Sequence, residues 1–186
     1  MDTNFVSRAG EKLDFAIDHF LIDVRGLVVA DFGSSTGGFV DCLLKRGAKK
    51  VYSVDTSYGE LAWKLRNDKR VIVLERTNAM HINLSEKVDL VTVDTSWTRQ
   101  LLVLPNAANN LKVGGKIITL VKPHYEAPRE YLIKGKLQDT YLDMVLDKVR
   151  NDVENCGLSI IDITESPILG EKGKNREFLM LLESNK

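Results

Sequence analysis

The hydrophobic positions of the chain alternate between short apolar runs and stretches with helical spacing. The apolar runs that we predict to be strands are 27–32, 50–55, 70–75, 89–94, 116–122, 159–168 and 177–184. The stretches that we predict to be helices are 8–20, 37–46, 57–67, 98–111 and 139–156, and only 123–138 is left as a long irregular segment. Nearly unbroken apolar strands separated by helices are typical of a parallel sheet covered on both faces. Since no helix fits between the last two runs, we expect a doubly wound, seven-stranded, Rossmann-like α/β fold with an antiparallel last strand.

Length and composition narrow the class of protein. A chain of 186 residues with 44% hydrophobic and 28% charged residues fits one globular domain over 1–186, in which 1–25 forms a helix leading into the sheet. The 26 basic and 26 acidic residues balance, so a polycationic arm is excluded, although a local basic patch can still bind nucleic acid. Two cysteines are too few for a disulfide framework or a zinc site, and we expect no metal. Without a long apolar run or a leader sequence, we expect a soluble cytoplasmic protein that does not bind membranes.

A glycine-rich loop follows the first predicted strand. Its sequence, DFGSSTGG, begins at Asp31 and opens a helix, with Gly33 permitting a tight turn and Gly37 and Gly38 permitting close approach of a ligand. The loop lacks the lysine of a Walker loop and matches the dinucleotide pattern only in part, so a plain strand–helix turn remains an alternative. The loop residues that we predict to bind a cofactor are Asp31, Gly33, Ser34, Ser35, Thr36, Gly37 and Gly38.

The acidic residue that ends the second strand suggests an adenosine ligand. Asp55 can accept hydrogen bonds from both ribose hydroxyls of NAD or S-adenosylmethionine, and the antiparallel last strand favours S-adenosylmethionine. Asn78, after the third strand, either faces the adenine edge or is a simple turn residue. Asp94 and Lys122 end the next two strands, which places their side chains within reach of each other and of the same cofactor pocket. The alternative for this pair is a plain ion pair at the rim of the sheet.

Several long segments together resemble the TlyA family of the FtsJ-like superfamily, whose members also carry the name hemolysin. The segments are 5–13 (FVSRAGEKL), 31–44 (DFGSSTGGFVDCLL), 46–55 (RGAKKVYSVD), 59–68 (GELAWKLRND), 74–79 (LERTNA), 120–126 (LVKPHYE) and 177–179 (EFL). The resemblance implies a class I S-adenosylmethionine-dependent methyltransferase fold and methylation of a ribose 2′-hydroxyl, with a cytidine of rRNA as the implied target. Family members usually carry an RNA-binding S4 domain ahead of the first segment, so we expect this chain to be the methyltransferase domain alone.

The resemblance also implies a catalytic tetrad. Carried over by motif, its members are Lys12, Asp94, Lys122 and Glu177. We expect burial and the second lysine to lower the pKa of Lys122, so that Lys122 acts as a base toward the hydroxyl or steers it. Lys12 would stabilise the developing alkoxide, and the two carboxylates would orient the ammonium groups. Departures from the family pattern are Ala9, Thr95–Trp97 and His124, which affect the expected substrate recognition rather than the tetrad.

Basic residues cluster in two segments near the predicted site, and we predict that they bind RNA. They are Arg129, Lys134, Lys136, Lys172, Lys174 and Arg176. Trp97, Tyr125 and Tyr131 are interleaved with them and are candidates for stacking on unpaired bases, whereas a solvated charged loop beside core aromatics is the alternative. Other functions open at this point are a cofactor- and RNA-binding module with little turnover, a small-molecule methyltransferase and, least supported by the sequence, a membrane-active cytolysin.

Overall fold

The structure is a computed structural model that describes residues 4–171 and 173–185. Its helices are α1 (Ala9–His19), α2 (Gly38–Lys45), α3 (Trp63–Arg66), α4 (Gln100–Asn110), α5 (Pro123–Glu126) and α6 (Leu142–Asn155), with 3-10 turns at Arg129–Tyr131 and Asp139–Tyr141. Its strands are β1 (Val28–Phe32), β2 (Lys50–Val54), β3 (Val71–Leu74), β4 (Val88–Val93), β5 (Leu111–Val121), β6 (Leu132–Ile133), β7 (Lys136–Leu137), β8 (Leu158–Glu165) and β9 (Phe178–Ser184).

Seven of these strands form one sheet in the order β3-β2-β1-β4-β5-β9-β8. The first five are parallel, and β9 runs antiparallel to both β5 and β8, which confirms the predicted fold with its antiparallel last strand. Both faces are covered, because alternate residues of a strand point to opposite sides. Val29 of β1 packs with Leu13 of α1 and Leu43 of α2, whereas Ala30 packs in a second cluster with the residues of α4 and α6.

Two predicted segments differ from the structure. The helix predicted over 57–67 is wrong for most of its length, since only α3 is helical. Asp55 draws the chain into a turn by accepting hydrogen bonds from the backbone and hydroxyl of Ser57, and Gly59 then takes a left-handed φ of +79°. The segment 123–138 is not irregular throughout: it contains α5, a 3-10 turn and a separate two-stranded hairpin of β6 and β7.

The antiparallel direction of β9 determines what meets at the edge where the parallel strands end. β5 ends there at Val121, which pairs with Phe178 at the beginning of β9. The residue after β5, Lys122, and the residue before β9, Glu177, are therefore brought to the same edge as the glycine loop after β1.

Candidate active site

The glycine loop after β1 is held against the loop after β4. Gly33 has a left-handed φ of +91°, and its backbone N–H donates to the carbonyl of Val54 at 2.9 Å. A Cβ atom at this position would lie 2.5 Å from the backbone oxygen of Asp94. The absence of a side chain therefore lets the loop lie directly on the residue that ends β4.

Close packing at the start of α2 also requires residues without a Cβ atom. A Cβ at Gly38 would collide with the Ser7 hydroxyl and lie 2.9 Å from the Cβ of Ala9. A Cβ at Gly37, whose φ is +98°, would collide with the side chains of Leu61 and Leu65. Because α1 packs this closely on α2, the next turn of α1 carries Lys12 toward the edge of the sheet.

A carboxyl group is buried beneath the loop. Asp31 is fully buried, and its Oδ1 accepts a hydrogen bond of 2.7 Å from the Thr92 hydroxyl. Its Oδ2 has no hydrogen-bond partner in the described part of the chain. Burial is the largest cause that raises the pKa of Asp31, to about 7, and the charges of Asp94 and Asp55 act in the same direction. A buried acceptor of this kind suits a ligand that brings a hydrogen-bond donor to the loop.

A cleft of about 380 Å³ opens beside β2 and contains Asp55 and Asn78. The Asp55 carboxylate accepts hydrogen bonds from the backbone N–H groups of Ser35, at 2.7 Å, and Ser57, at 2.8 Å. It also accepts from the Ser57 hydroxyl at 2.7 Å. Two carboxylate oxygens offer about four acceptor positions, so about one remains for a ribose hydroxyl, and a second becomes available if the Ser57 hydroxyl turns away. Asn78 closes a turn by accepting from the N–H of Met80 at 2.9 Å, and its position in the cleft keeps both of its predicted roles open.

A second cleft of about 380 Å³ adjoins the first and contains all four residues of the predicted tetrad. They form two ion pairs. Lys122 Nζ lies 2.5 Å from Asp94 Oδ1, as the strand-end positions predicted, and Lys12 Nζ lies 2.5 Å from Glu177 Oε2. The second pair is the more buried, with side-chain exposures of 7% and 4%. Asp94 and Gly33 line both clefts, so a ligand in one can touch a ligand in the other.

The electrostatics of Lys122 contradict the expectation from the sequence. Burial alone would lower the pKa of Lys122, but the charge and hydrogen bond of Asp94, with the charge of Glu177, outweigh burial and raise it. The predicted lowering is therefore wrong, because each lysine of the site has a carboxylate against it. Lys122 is an ammonium group, and it also donates to the carbonyl of Thr95 at 3.3 Å.

Aromatic and imidazole side chains form a wall of the cleft that contains the predicted tetrad, the candidate catalytic cleft. Trp97 is 78% exposed, takes a left-handed φ of +62° and lies with its ring centroid 4.7 Å from that of Tyr125. Burial, together with the charge of Lys122, lowers the pKa of His124 to about 4, so this imidazole is neutral. Three residues that were not predicted as site residues line the same cleft, namely Ser7, Arg8 and Ser96. The first two were detectable only as neighbours of Lys12 in its motif.

The residues predicted to bind RNA have different surroundings. Arg129, Lys134, Lys136 and Lys174 are exposed, while Arg176 is held by Glu165 through contacts of 2.8 and 2.6 Å. Lys172 lies outside the described residues. Tyr131 is stacked on Tyr141 with a centroid distance of 4.0 Å, so this side of its ring is already covered. Among the described residues, no helix has the length and apolar character needed to span a membrane.

Comparison with known proteins relates this geometry to a family. The model of the FtsJ-like methyltransferase family matches residues 5–183. Hemolysin A of Brachyspira hyodysenteriae is 41% identical over 184 residues, which cover 94% of this chain and 75% of that protein. The 16S/23S rRNA (cytidine-2′-O)-methyltransferase TlyA of Mycobacterium tuberculosis is 39% identical over 183 residues, covering 95% and 68%. A solved structure of a candidate hemolysin from Streptococcus thermophilus is similar with a TM-score of 0.95 and 36% identity, covering 100% of this chain and 69% of that one.

Proposed function

The chain belongs to the FtsJ-like methyltransferase family, and from this premise we propose that it transfers a methyl group from S-adenosylmethionine to a ribose 2′-hydroxyl of RNA. The observation that carries the proposal is the pair of adjoining clefts, one with an acid after β2 and the other with two lysine–carboxylate pairs. The relatives named as rRNA cytidine-2′-O-methyltransferases make a cytidine of rRNA the proposed target. When bound, S-adenosylmethionine supplies an electrophilic methyl group on a sulfonium.

The residues present fit this cofactor. Gly33 lets the glycine loop lie directly on Asp94, so that both residues line the two clefts, and the partnerless Oδ2 of Asp31 lies under the same loop. Asp55 would bind the ribose hydroxyls, and Asn78 would face the adenine. Asp94, which lines both clefts, would lie between the cofactor and the RNA.

Lys122 and Lys12 would have different roles toward the ribose 2′-hydroxyl. A ribose hydroxyl is a weak nucleophile near neutral pH and needs a positioned base. Lys122, once it has lost its proton, would accept the proton of the 2′-hydroxyl. The ammonium of Lys12, held by Glu177, would stabilise the negative charge that develops on the oxygen. The pKa of Lys122 would be lowered toward the working pH by the positive charge of S-adenosylmethionine when this cofactor is bound beside Asp94.

Methyl transfer from labelled S-adenosylmethionine to ribosomal RNA, followed by nucleoside mapping, tests this function. We expect one ribose-methylated nucleotide, and methyl groups on a base or on protein alone would contradict the proposal. A cofactor- and RNA-binding module without turnover would bind both partners and transfer nothing. Measuring binding and single-turnover transfer on the same sample separates the two functions.

A further inference from the structure

Two tight turns meet beside the catalytic cleft. The first joins β6 to β7 through Lys134 and Gly135, which both take left-handed backbone angles, with φ of +49° and +79°. The second is Gly173–Lys174, which repeats this conformation with φ of +71° and +49°. Each turn therefore projects a lysine from a backbone that two consecutive left-handed residues bend sharply.

A buried amide joins the two turns. The Oδ1 of Asn175 accepts from the backbone N–H of Leu137 at 3.0 Å, and its Nδ2 donates to the carbonyl of Gly135 at 3.0 Å. Asn175 is 3% exposed, and its own backbone carbonyl accepts from the N–H of Gly170 at 2.8 Å. Because a buried amide is costly to leave without partners, these bonds hold the hairpin against the loop that leads to Glu177.

A cleft of about 180 Å³ with an excess of positive charge lies beside these turns, between β7, the start of α6 and the loop that precedes Glu177. Lys136 and Lys174 line it, are exposed, and form no ion pair with another residue of the described ranges. Asp139 is the carboxylate of the lining, and the charge of Arg176 is balanced by Glu165. Leucine side chains from the hairpin, α6 and the loop contribute apolar surface. Two lysines against one carboxylate, above an apolar floor, suit an anionic group attached to a sugar.

We propose that this cleft binds a phosphodiester of the RNA strand next to the methylated nucleotide, with Lys136 and Lys174 as its ligands and Asn175 as the positioning residue. The proposal rests on the proposed function, since it names a subsite for the same RNA. A protein of zero net charge gains RNA affinity where local cations outnumber the carboxylates beside them, as the two lysines outnumber Asp139 in this cleft. The short chain distance from Asn175 to Glu177 connects the subsite to the catalytic cleft.

Salt-dependent binding of a labelled single-stranded RNA with a central cytidine tests the two lysines. Each phosphate contact to a single strand contributes about 0.7 to the slope of log affinity against log salt. The double variant Lys136→Ala, Lys174→Ala should therefore flatten the slope by about 0.7, because the two lysines share one phosphodiester. The matched control is Lys49→Ala, Lys69→Ala, which removes two exposed lysines beside the starts of β2 and β3, at the opposite edge of the sheet. A slope that stays at the wild-type value, or that falls equally in the control, would overturn the proposal.

Asn175→Asp tests the positioning role with a side chain of the same shape. The carboxylate keeps the acceptor for Leu137 but loses the donor to Gly135 and faces its carbonyl oxygen. We expect weaker RNA binding with S-adenosylmethionine affinity retained, and wild-type RNA affinity in a folded variant would refute the role. Methyl transfer by the wild type is measured separately. If it transfers no ribose methyl although the lysine variant flattens the slope, the proposed function fails and the subsite stands. If the wild type methylates ribose but the lysine double variant keeps the wild-type salt slope, the proposed function stands and the subsite fails.

Discussion

Replacing Lys122 by alanine should remove most of the methyl transfer while S-adenosylmethionine still binds. A positioned general base contributes about 10²- to 10⁴-fold to a rate, which corresponds to about 3–5 kcal/mol at roughly 1.4 kcal/mol per tenfold. Lys122 Nζ lies 2.5 Å from Asp94, so the substitution also leaves a carboxylate without its ion-pair partner at the site. Lys122→Met, which retains most of the apolar stem, is the control that separates the lost ammonium from lost packing.

The charge of Lys122 alone should not be sufficient. Lys122→Arg keeps a positive charge beside Asp94, but a guanidinium does not lose its proton in a protein and has a different shape. We therefore expect Lys122→Arg to be nearly as slow as Lys122→Ala. The assay is single-turnover transfer to an rRNA fragment with the methylated oxygen mapped. Rates near the wild type in either variant would refute the assignment of Lys122 as the base.

The pH dependence of the single-turnover rate gives a second test of the role of Lys122. Since Lys122 has a raised pKa and must lose its proton to act, the single-turnover rate should increase as the pH rises toward that pKa. Asp94→Asn removes the charge and the charged hydrogen bond that raise this pKa, so that burial, which lowers it, prevails. The ascending limb of the profile should then move to lower pH even though the maximal rate falls. An unmoved limb would show that another group controls the profile.

Three further predictions concern the cofactor cleft, the buried ion pair and the glycine loop. Asp55→Ala should weaken S-adenosylmethionine binding by about 1–3 kcal/mol in calorimetry, and unchanged affinity or tighter binding of NAD would contradict the ribose assignment. Glu177→Leu should lower the free energy of unfolding in urea by about 3–5 kcal/mol, because it leaves Lys12 buried without a counter-charge. The double variant Glu177→Leu, Lys12→Met should regain most of that stability but remain inactive. Gly33→Ala should lower the free energy of unfolding by about 1–3 kcal/mol and weaken the binding of S-adenosylmethionine. The control is Gly26→Ala, which has a similar φ of +77° but no atom within 4 Å of the added Cβ, and it should cost less. Equal losses in the two variants would refute the steric argument.

Apolar runs and helical spacing in the sequence were sufficient to predict the architecture and the pairing of Asp94 with Lys122. Short apolar runs separated by helical spacing predicted the seven-stranded sheet, because the central strands β1, β2 and β4 are buried on both faces. Asp94 and Lys122 were predicted to meet because the carboxyl ends of neighbouring parallel strands lie at one edge. The helix predicted over 57–67 was wrong, since the Asp55–Ser57 hydrogen bonds and Gly59 form a turn that overrides the apolar spacing.

The family resemblance had named Lys12 and Glu177, but their pairing and the direction of the Lys122 pKa shift follow from the tertiary structure. Lys12 and Glu177 are 165 positions apart, and no local period connects them. They meet because α1 packs on Gly38 and because β9 runs antiparallel, beginning at the edge where β5 ends. The pKa of Lys122 depends on the balance between burial and two carboxylates contributed by different segments. That balance is a matter of distances in three dimensions, and hence the residue types alone predicted the wrong direction.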